Sequence, residues 1–296
     1  MYWQRLLETR ERLPAMPALD DWYAALLAQL EEGVSPFELA LLGGRLAATP
    51  GLAFLAGYQG ALRALWPSAP WSLGALCVTE NKTLRPADMH TRLDELTLHG
   101  RKDFVTAAEA ADWLLVAARS EVEGAAPQLA LCVTYSGAPG VRIEPLPALP
   151  LMPDIGHARL HLDGAQCERL AGDGWDAYVK PFRTLEDLHV LSAIGAWLYG
   201  IGQDQGWPLE LRLRLLGVLG GCAEVARQGA TAPASHLLLA GVFAQFGALK
   251  AELTAAFAAG PAELAALWQR DCTLLEIARG PRVKRLENAL AALALA

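Results

Sequence analysis

The sequence predicts an α+β chain in three parts: a short N-terminal helical segment over residues 1–72, an antiparallel, barrel-like β domain over 73–176, and an antiparallel helix bundle over 177–296. Three observations lead there. Ala and Leu dominate a chain that is 53% apolar, which favours helix along most of its length. Between about Leu73 and Leu170 the pattern changes to short apolar runs broken by Gly, Pro and charged turns, as strands require. Breakers fall at the seams, with Pro67 and Pro70 closing the first part and Ala171-Gly172-Asp173-Gly174 opening the last.

In the first part, Asp20-Asp21 offers an acidic N-cap, and Trp22, Leu26, Leu27 and Leu30 recur at helical spacing. Gly33 and Pro36 punctuate, and further helices are predicted over 36–47 and 52–66. Strands are predicted over 74–79, 92–98, 102–105, 113–119, 129–134, 141–145 and 158–162. The runs Leu114-Leu115-Val116-Ala117-Ala118 and Leu129-Ala130-Leu131-Cys132-Val133 are almost wholly apolar, as central strands are. The bundle reads as helices over 182–203, 209–228, 234–259, 261–279 and 282–295, separated by Pro208, the 229–233 turn and Gly260-Pro261. No period of 20–50 residues marks a repeat protein.

A net charge of −7 argues against an electrostatic nucleic-acid binder. Five scattered cysteines without a CxxC pair read as reduced thiols of a cytoplasmic protein. The most apolar stretch, 235–249, contains His236 and Gln245 and falls short of the ~20 residues that span a bilayer. The start Met1-Tyr2-Trp3-Gln4-Arg5 lacks the pattern of a signal peptide, and no membrane insertion is expected.

Several short sequences at the seams narrow the field. Cys77-Val78-Thr79-Glu80 is followed by Leu98-His99-Gly100-Arg101-Lys102-Asp103-Phe104-Val105-Thr106, then Ala111-Asp112-Trp113. Leu170-Ala171-Gly172-Asp173-Gly174-Trp175 leads into the bundle. Near the end stand Arg270-Asp271, Ile277, Gly280 and Lys284-Arg285-Leu286. In order and spacing these resemble the acyl-CoA dehydrogenases over about residues 40–290. The resemblance implies an FAD-dependent oxidoreductase that removes hydrogen from an acyl-CoA or similar thioester, with FAD between the β domain and the bundle. It implies that Thr79 hydrogen-bonds the flavin ring, that Phe104 stacks on it where the family usually has Trp, and that Thr106 contacts it. It further implies a homo-oligomer, dimer or tetramer, formed through the bundle.

Departures from the family pattern bear on function. The Gly-Ser-Asp that follows the family's Thr-Glu-Pro is replaced by Asn81-Lys82-Thr83-Leu84-Arg85, where Arg85 or Lys82 offers a cationic substitute beside cofactor phosphate. A Gln-x-x-Gly-Gly-x-Gly segment is missing, and Gly220-Gly221 reads as close helix packing. The usual catalytic glutamate aligns with Arg279, which cannot take a proton at neutral pH. Glu276, Glu224 and Glu186 are the candidate replacements, with Glu276 nearest in sequence. Arg279 and Arg183 are candidates for contacting an anionic substrate. The alternative is a non-catalytic homologue that serves as a structural subunit, with a full-length dehydrogenase as possible partner and little or no FAD binding.

Two local patterns have plainer readings. Thr184 reads as an N-cap with Glu186 and Asp187 in the first turn beyond it. His157 and His161 are four apart, but in a strand and without a third ligand, so no metal is expected.

Overall fold

The computed structural model describes residues 2–80, 88–122 and 124–295. The chain opens with α1 (Tyr2–Glu8), α2 (Leu19–Ala28), α3 (Pro36–Leu46) and α4 (Pro50–Leu65). A capping box starts α3: the Ser35 hydroxyl accepts the Glu38 N–H at 3.2 Å, and the Glu38 carboxylate accepts the Ser35 N–H at 2.8 Å. Thr49 caps α4 by accepting the Leu52 N–H at 3.1 Å. At α2 the expected acidic cap is displaced. Ala18 holds the cap position, and Asp20 and Asp21 lie in the first turn, where the helix dipole favours them.

The β domain follows as β1 (Gly74–Cys77), β2 (Arg92–Asp94), β3 (Thr97–Thr106), β4 (Trp113–Arg119), β5 (Leu129–Tyr135), β6 (Val141–Pro145), β7 (His157–Gln166) and β8 (Glu168–Arg169). They form one sheet in the order β6-β7-β3-β2-β4-β5-β8, antiparallel for the most part, with β1 alongside β4 in parallel. The strand expected over 92–98 is instead a hairpin. Glu95 takes the left-handed conformation at φ 51°, so β2 ends at Asp94 and β3 begins at Thr97. The separate strand expected over 102–105 is the far half of the same β3.

Both apolar runs are central strands, and alternation explains why they are apolar throughout. Trp113, Leu115, Ala117, Leu129, Leu131 and Val133 face the core shared with the helices. Leu114, Val116, Ala118, Ala130 and Cys132 fill a second core enclosed by the curled sheet, with Val105, Leu160 and Leu162 opposite. Each strand is therefore buried on both faces.

A π-helical turn (Trp175–Val179) leads into α5 (Lys180–Asp204), α6 (Leu209–Ala226), α7 (Pro233–Ala258), α8 (Ala262–Asp271) and α9 (Arg279–Ala292). Thr184 is thus not a cap. The helix starts a turn earlier and buries Thr184 within it. The helix expected over 261–279 stops at Asp271, and a 3-10 turn (Leu274–Glu276) carries the chain to α9. The 235–249 stretch belongs to a 26-residue helix, α7, which by length and composition alone could cross a membrane. It packs against α6, α8 and α9, with 28% of its apolar window buried.

Helix α5 is the axis of the molecule, packing against α3, α4 and α6. Glycines allow this approach. A methyl group on Gly44 would stand 2.1 Å from the Ala193 carbonyl oxygen, and one on Gly57 would stand 2.7 Å from the Val190 Cα. On the other side of α5, Gly221 lets α6 meet Val242 of α7, whereas Gly220 has open space before it.

Candidate functional site

A hollow of about 250 Å³ lies where the β domain meets the bundle. One wall is the end of β3 and the start of β7, with Phe104, Thr106 and His157. The other is α5, with Glu186, Asp187 and Val190, and the rim is closed by Leu274, Leu275, Ile277 and Arg282.

Phe104 reaches the hollow because β3 bulges. Lys102 pairs with Leu160 and Val105 with Ala158, which leaves one extra residue on β3 between the two pairs. Strict alternation would put Lys102 and Val105 on opposite faces. The bulge buries both and turns Phe104 outward, where it is 39% exposed and lines the hollow. Its ring stacks on His157 with centroids 4.4 Å apart. Burial pushes the His157 imidazole below its ordinary range, opposed by the Ile155 backbone.

Lys102 makes the bulge rigid. Its ammonium lies 2.7 Å from the Glu80 carboxylate, which also accepts the Thr91 N–H at 2.9 Å and the His90 N–H at 2.5 Å. Burial alone would raise the Glu80 carboxyl, but Lys102 and these donors outweigh it and hold it below the usual range. Thr79, just before Glu80, is exposed and accepts the Asp103 N–H at 2.8 Å through its carbonyl, which pairs its backbone with the residue before Phe104.

On the opposite wall, burial and then the charge of Asp187 push the Glu186 carboxyl up from 4.5 to about 7, against the pull of Arg183 and Arg285. Asp187 is clasped by two guanidiniums of α9: Arg282 Nη1 at 2.8 Å from Oδ1, and Arg285 Nη2 on Oδ2. Arg282 also donates to the Leu275 carbonyl and lies 4.1 Å from the Phe243 ring centre. The clasp ties the 274–279 segment down over the hollow. A second tie runs from the end of α8, where Asp271 accepts the Met152 N–H at 2.9 Å and holds Arg270 at 2.6 Å.

The structure sorts the residues singled out from sequence. Phe104, Thr106 and Glu186 come together around the hollow, whereas Thr79 is outside the lining and meets this strand through its backbone bond to Asp103. Glu276 is exposed, pairs with Lys250 at 3.7 Å and does not line the hollow. Arg279 is exposed at the start of α9, outside the lining. Arg183 is exposed and stacks over Trp175, 5.1 Å from the ring centre. Glu224 is exposed on α6 beside Arg227 and Gln228. Arg85 and Lys82 fall outside the described residues. His161 bonds Glu144 at 2.8 Å, so the two histidines have separate surroundings. The Asp187–Arg282–Arg285 clasp escaped sequence reasoning. The run of basic residues from Arg279 to Arg285, with two carboxylates ending the first turns of α5, was its only signal.

The flat Phe104 platform, Thr106 in the same lining and a carboxylate opposite fit the ring end of a flavin: a planar group with an apolar face and a polar rim.

No sequence-family model and no curated protein matches the chain. Solved structures do. FkbI, described for biosynthesis of the methoxymalonyl extender unit of Fk520, is 20% identical, with a TM-score of 0.65 and 98% of each chain covered. Butyryl-CoA dehydrogenase from Megasphaera elsdenii is 14% identical with a TM-score of 0.65, covering 92% of this chain and 89% of its own. PigA, solved with FAD and proline, is 15% identical with a TM-score of 0.64, covering 88% of this chain and 83% of its own. At such identities the likeness speaks for fold. In fold, the chain is a divergent acyl-CoA dehydrogenase-like protein.

Proposed function

We propose that the chain is a flavin-dependent oxidoreductase acting on an acyl-CoA or similar thioester, with Glu186 as the base that takes the α-proton. One observation carries this reading: a carboxyl tuned to about 7 lines the same hollow as the Phe104 platform. A carboxylate with that affinity is half ionised near neutrality and holds a proton once it has taken one. The neighbour solved with FAD supports flavin as the cofactor.

Bound there, FAD would supply the two-electron acceptor that the side chains lack. The protein's part is positional. Phe104 offers a face for the ring, and Thr79 and Thr106 offer hydroxyls to its edge. Arg282 and Arg285 neutralise Asp187, so that a second full negative charge does not stand beside Glu186. Leu274 and Leu275 supply apolar lining on the same hollow as the carboxylate. Glu276 and Arg279, being exposed and outside the hollow, have no part in proton transfer in this reading, and Arg279 remains available to an anionic group at the surface.

Association is part of the same proposal. The solvent side of α7 presents Leu238, Gly241, Ala244, Ala248 and Ala255, small and apolar residues on a face that also carries Gln245 and Glu252, the latter paired with Arg214 of α6. A second copy is the occupant we propose; a full-length dehydrogenase is the other.

The test is the visible absorbance spectrum of purified protein, followed by release and quantification of flavin. Stoichiometric FAD, with α-proton exchange on a short acyl-CoA that disappears in Glu186→Gln, is the expected result. A colourless protein that takes up no flavin from excess would make the chain a non-catalytic relative.

A further inference from the structure

A second hollow lies across α5 from the first. Thr184 and Glu186 are two residues apart on the helix, about 200° around its axis, so they face opposite sides. The Thr184 side opens on a recess of about 230 Å³ bounded by α5, the start of α7 and α9. Lys180, Thr184, Thr231, His236, Arg285 and Asn288 line it, and no carboxylate is among its lining residues.

The polar groups here are not used up. Thr184 is 2% exposed, yet its hydroxyl has no hydrogen-bond partner, and the buried His236 Nδ1 has none either. Helix α7 begins at this recess with Pro233, which has no N–H, and the Ser235 and His236 N–H groups donate to the Ala232 carbonyl, so the ligand-facing donors here are side chains. Lys180 and Arg285 line the recess together with His236, and burial, then these two cations, hold the imidazole below its ordinary range. Lys180 has only a 3.4 Å pair with the well-exposed Asp176, and Arg285 shares Asp187 with Arg282. At Thr184, Ala230 and Thr231 the recess meets a larger hollow of about 640 Å³, whose walls include Phe37, Leu65 and Leu188.

We infer that this recess is a binding site for a phosphate monoester, its anion among Lys180, Thr184 and His236, and its organic body in the adjoining hollow. The inference does not rest on the flavin reading. Two cations and an orphaned buried hydroxyl together suit a multivalent anion, and the apolar walls beyond suit a body attached to it.

The probe is phenyl phosphate, titrated into the full chain by calorimetry, with inorganic phosphate and phenol as comparisons. Saturable one-to-one binding of phenyl phosphate, tighter than that of inorganic phosphate, is expected. Lys180→Gln and Thr184→Val should each weaken it by about tenfold, the scale of one hydrogen bond to a charged group. Lys180 is at the surface, so its variant folds even if the Thr184 variant does not. Absence of saturation, or affinities unchanged in Lys180→Gln, overturns the site. Equal affinity for phenyl phosphate and inorganic phosphate overturns the role of the larger hollow. Competition by FAD would assign the recess to the flavin's own phosphates and overturn it as a separate site, whereas binding that persists in excess FAD supports it.

Discussion

The Lys102 ammonium lies 2.7 Å from the Glu80 carboxylate, with both side chains buried, and this pair joins the bulged β3 to the segment that leaves β1. It fixes the strand two residues before Phe104 and the chain one residue after Thr79, so the platform strand and the segment beside it are held by one contact.

Removing that contact should therefore loosen the hollow as well as the fold. In Lys102→Met, Glu80 keeps its backbone donors but loses its counter-charge in a buried place. A loss of about 3 kcal/mol in denaturant unfolding is expected, the scale for breaking a buried pair from one side. An unfolding midpoint equal to that of the unaltered chain would show that the pair contributes little.

Glu186 predicts a pH dependence of defined sign. Its carboxyl titrates at about 7 in the fold against 4.5 in the ordinary state. Below that window both states hold the proton. As pH rises from 4.5 to about 7, the unfolded chain ionises first, so the contribution of Glu186 to stability falls across the window. Glu186→Gln should flatten this slope in thermal melts taken from pH 4 to pH 8. In the unaltered protein, α-proton exchange should rise with pH with a midpoint near 7. An identical pH slope in the variant would remove Glu186 from the site.

The Arg282 clasp makes a prediction about motion. Arg282 joins Asp187, the Leu275 carbonyl and the Phe243 ring, so Arg282→Gln should release the 272–279 segment. Faster amide hydrogen exchange there, with a stability loss of about 2 kcal/mol, is the expected outcome. Protection equal to that of the unaltered chain would mean that the Asp271–Met152 tie alone holds the rim.

Association through α7 is tested by a charge on its small-residue face. Ala248 is exposed, and Glu is a good helix former, so Ala248→Glu should leave the fold intact and shift light-scattering mass toward a single chain. A mass that does not change would place any contact elsewhere.

Much of the fold was legible because period and punctuation are local properties. The continuous apolar runs 114–118 and 129–133 implied strands covered on both sides, and two cores supply the cover. Where one residue changed the outcome, local pattern was not enough. Glu95 at φ 51° splits the expected 92–98 strand, and the helix expected over 261–279 ends at Asp271, whose carboxylate is taken by Met152 from 119 positions away.

Of the site, the sequence offered the strand with Phe104 and Thr106, and the resemblance aligned Arg279 with the usual base. It also offered three candidate carboxylates without ranking Glu186 first. Only the tertiary structure decided among them. Packing sets Glu276 against solvent and Lys250, and Glu186 near Asp187 within the hollow. The same packing brings the Cys132 thiol to Cys167, a contact their spacing does not suggest. The physical reason is that a carboxylate's proton affinity depends on its burial and its charged neighbours, and these come from residues far away in the chain.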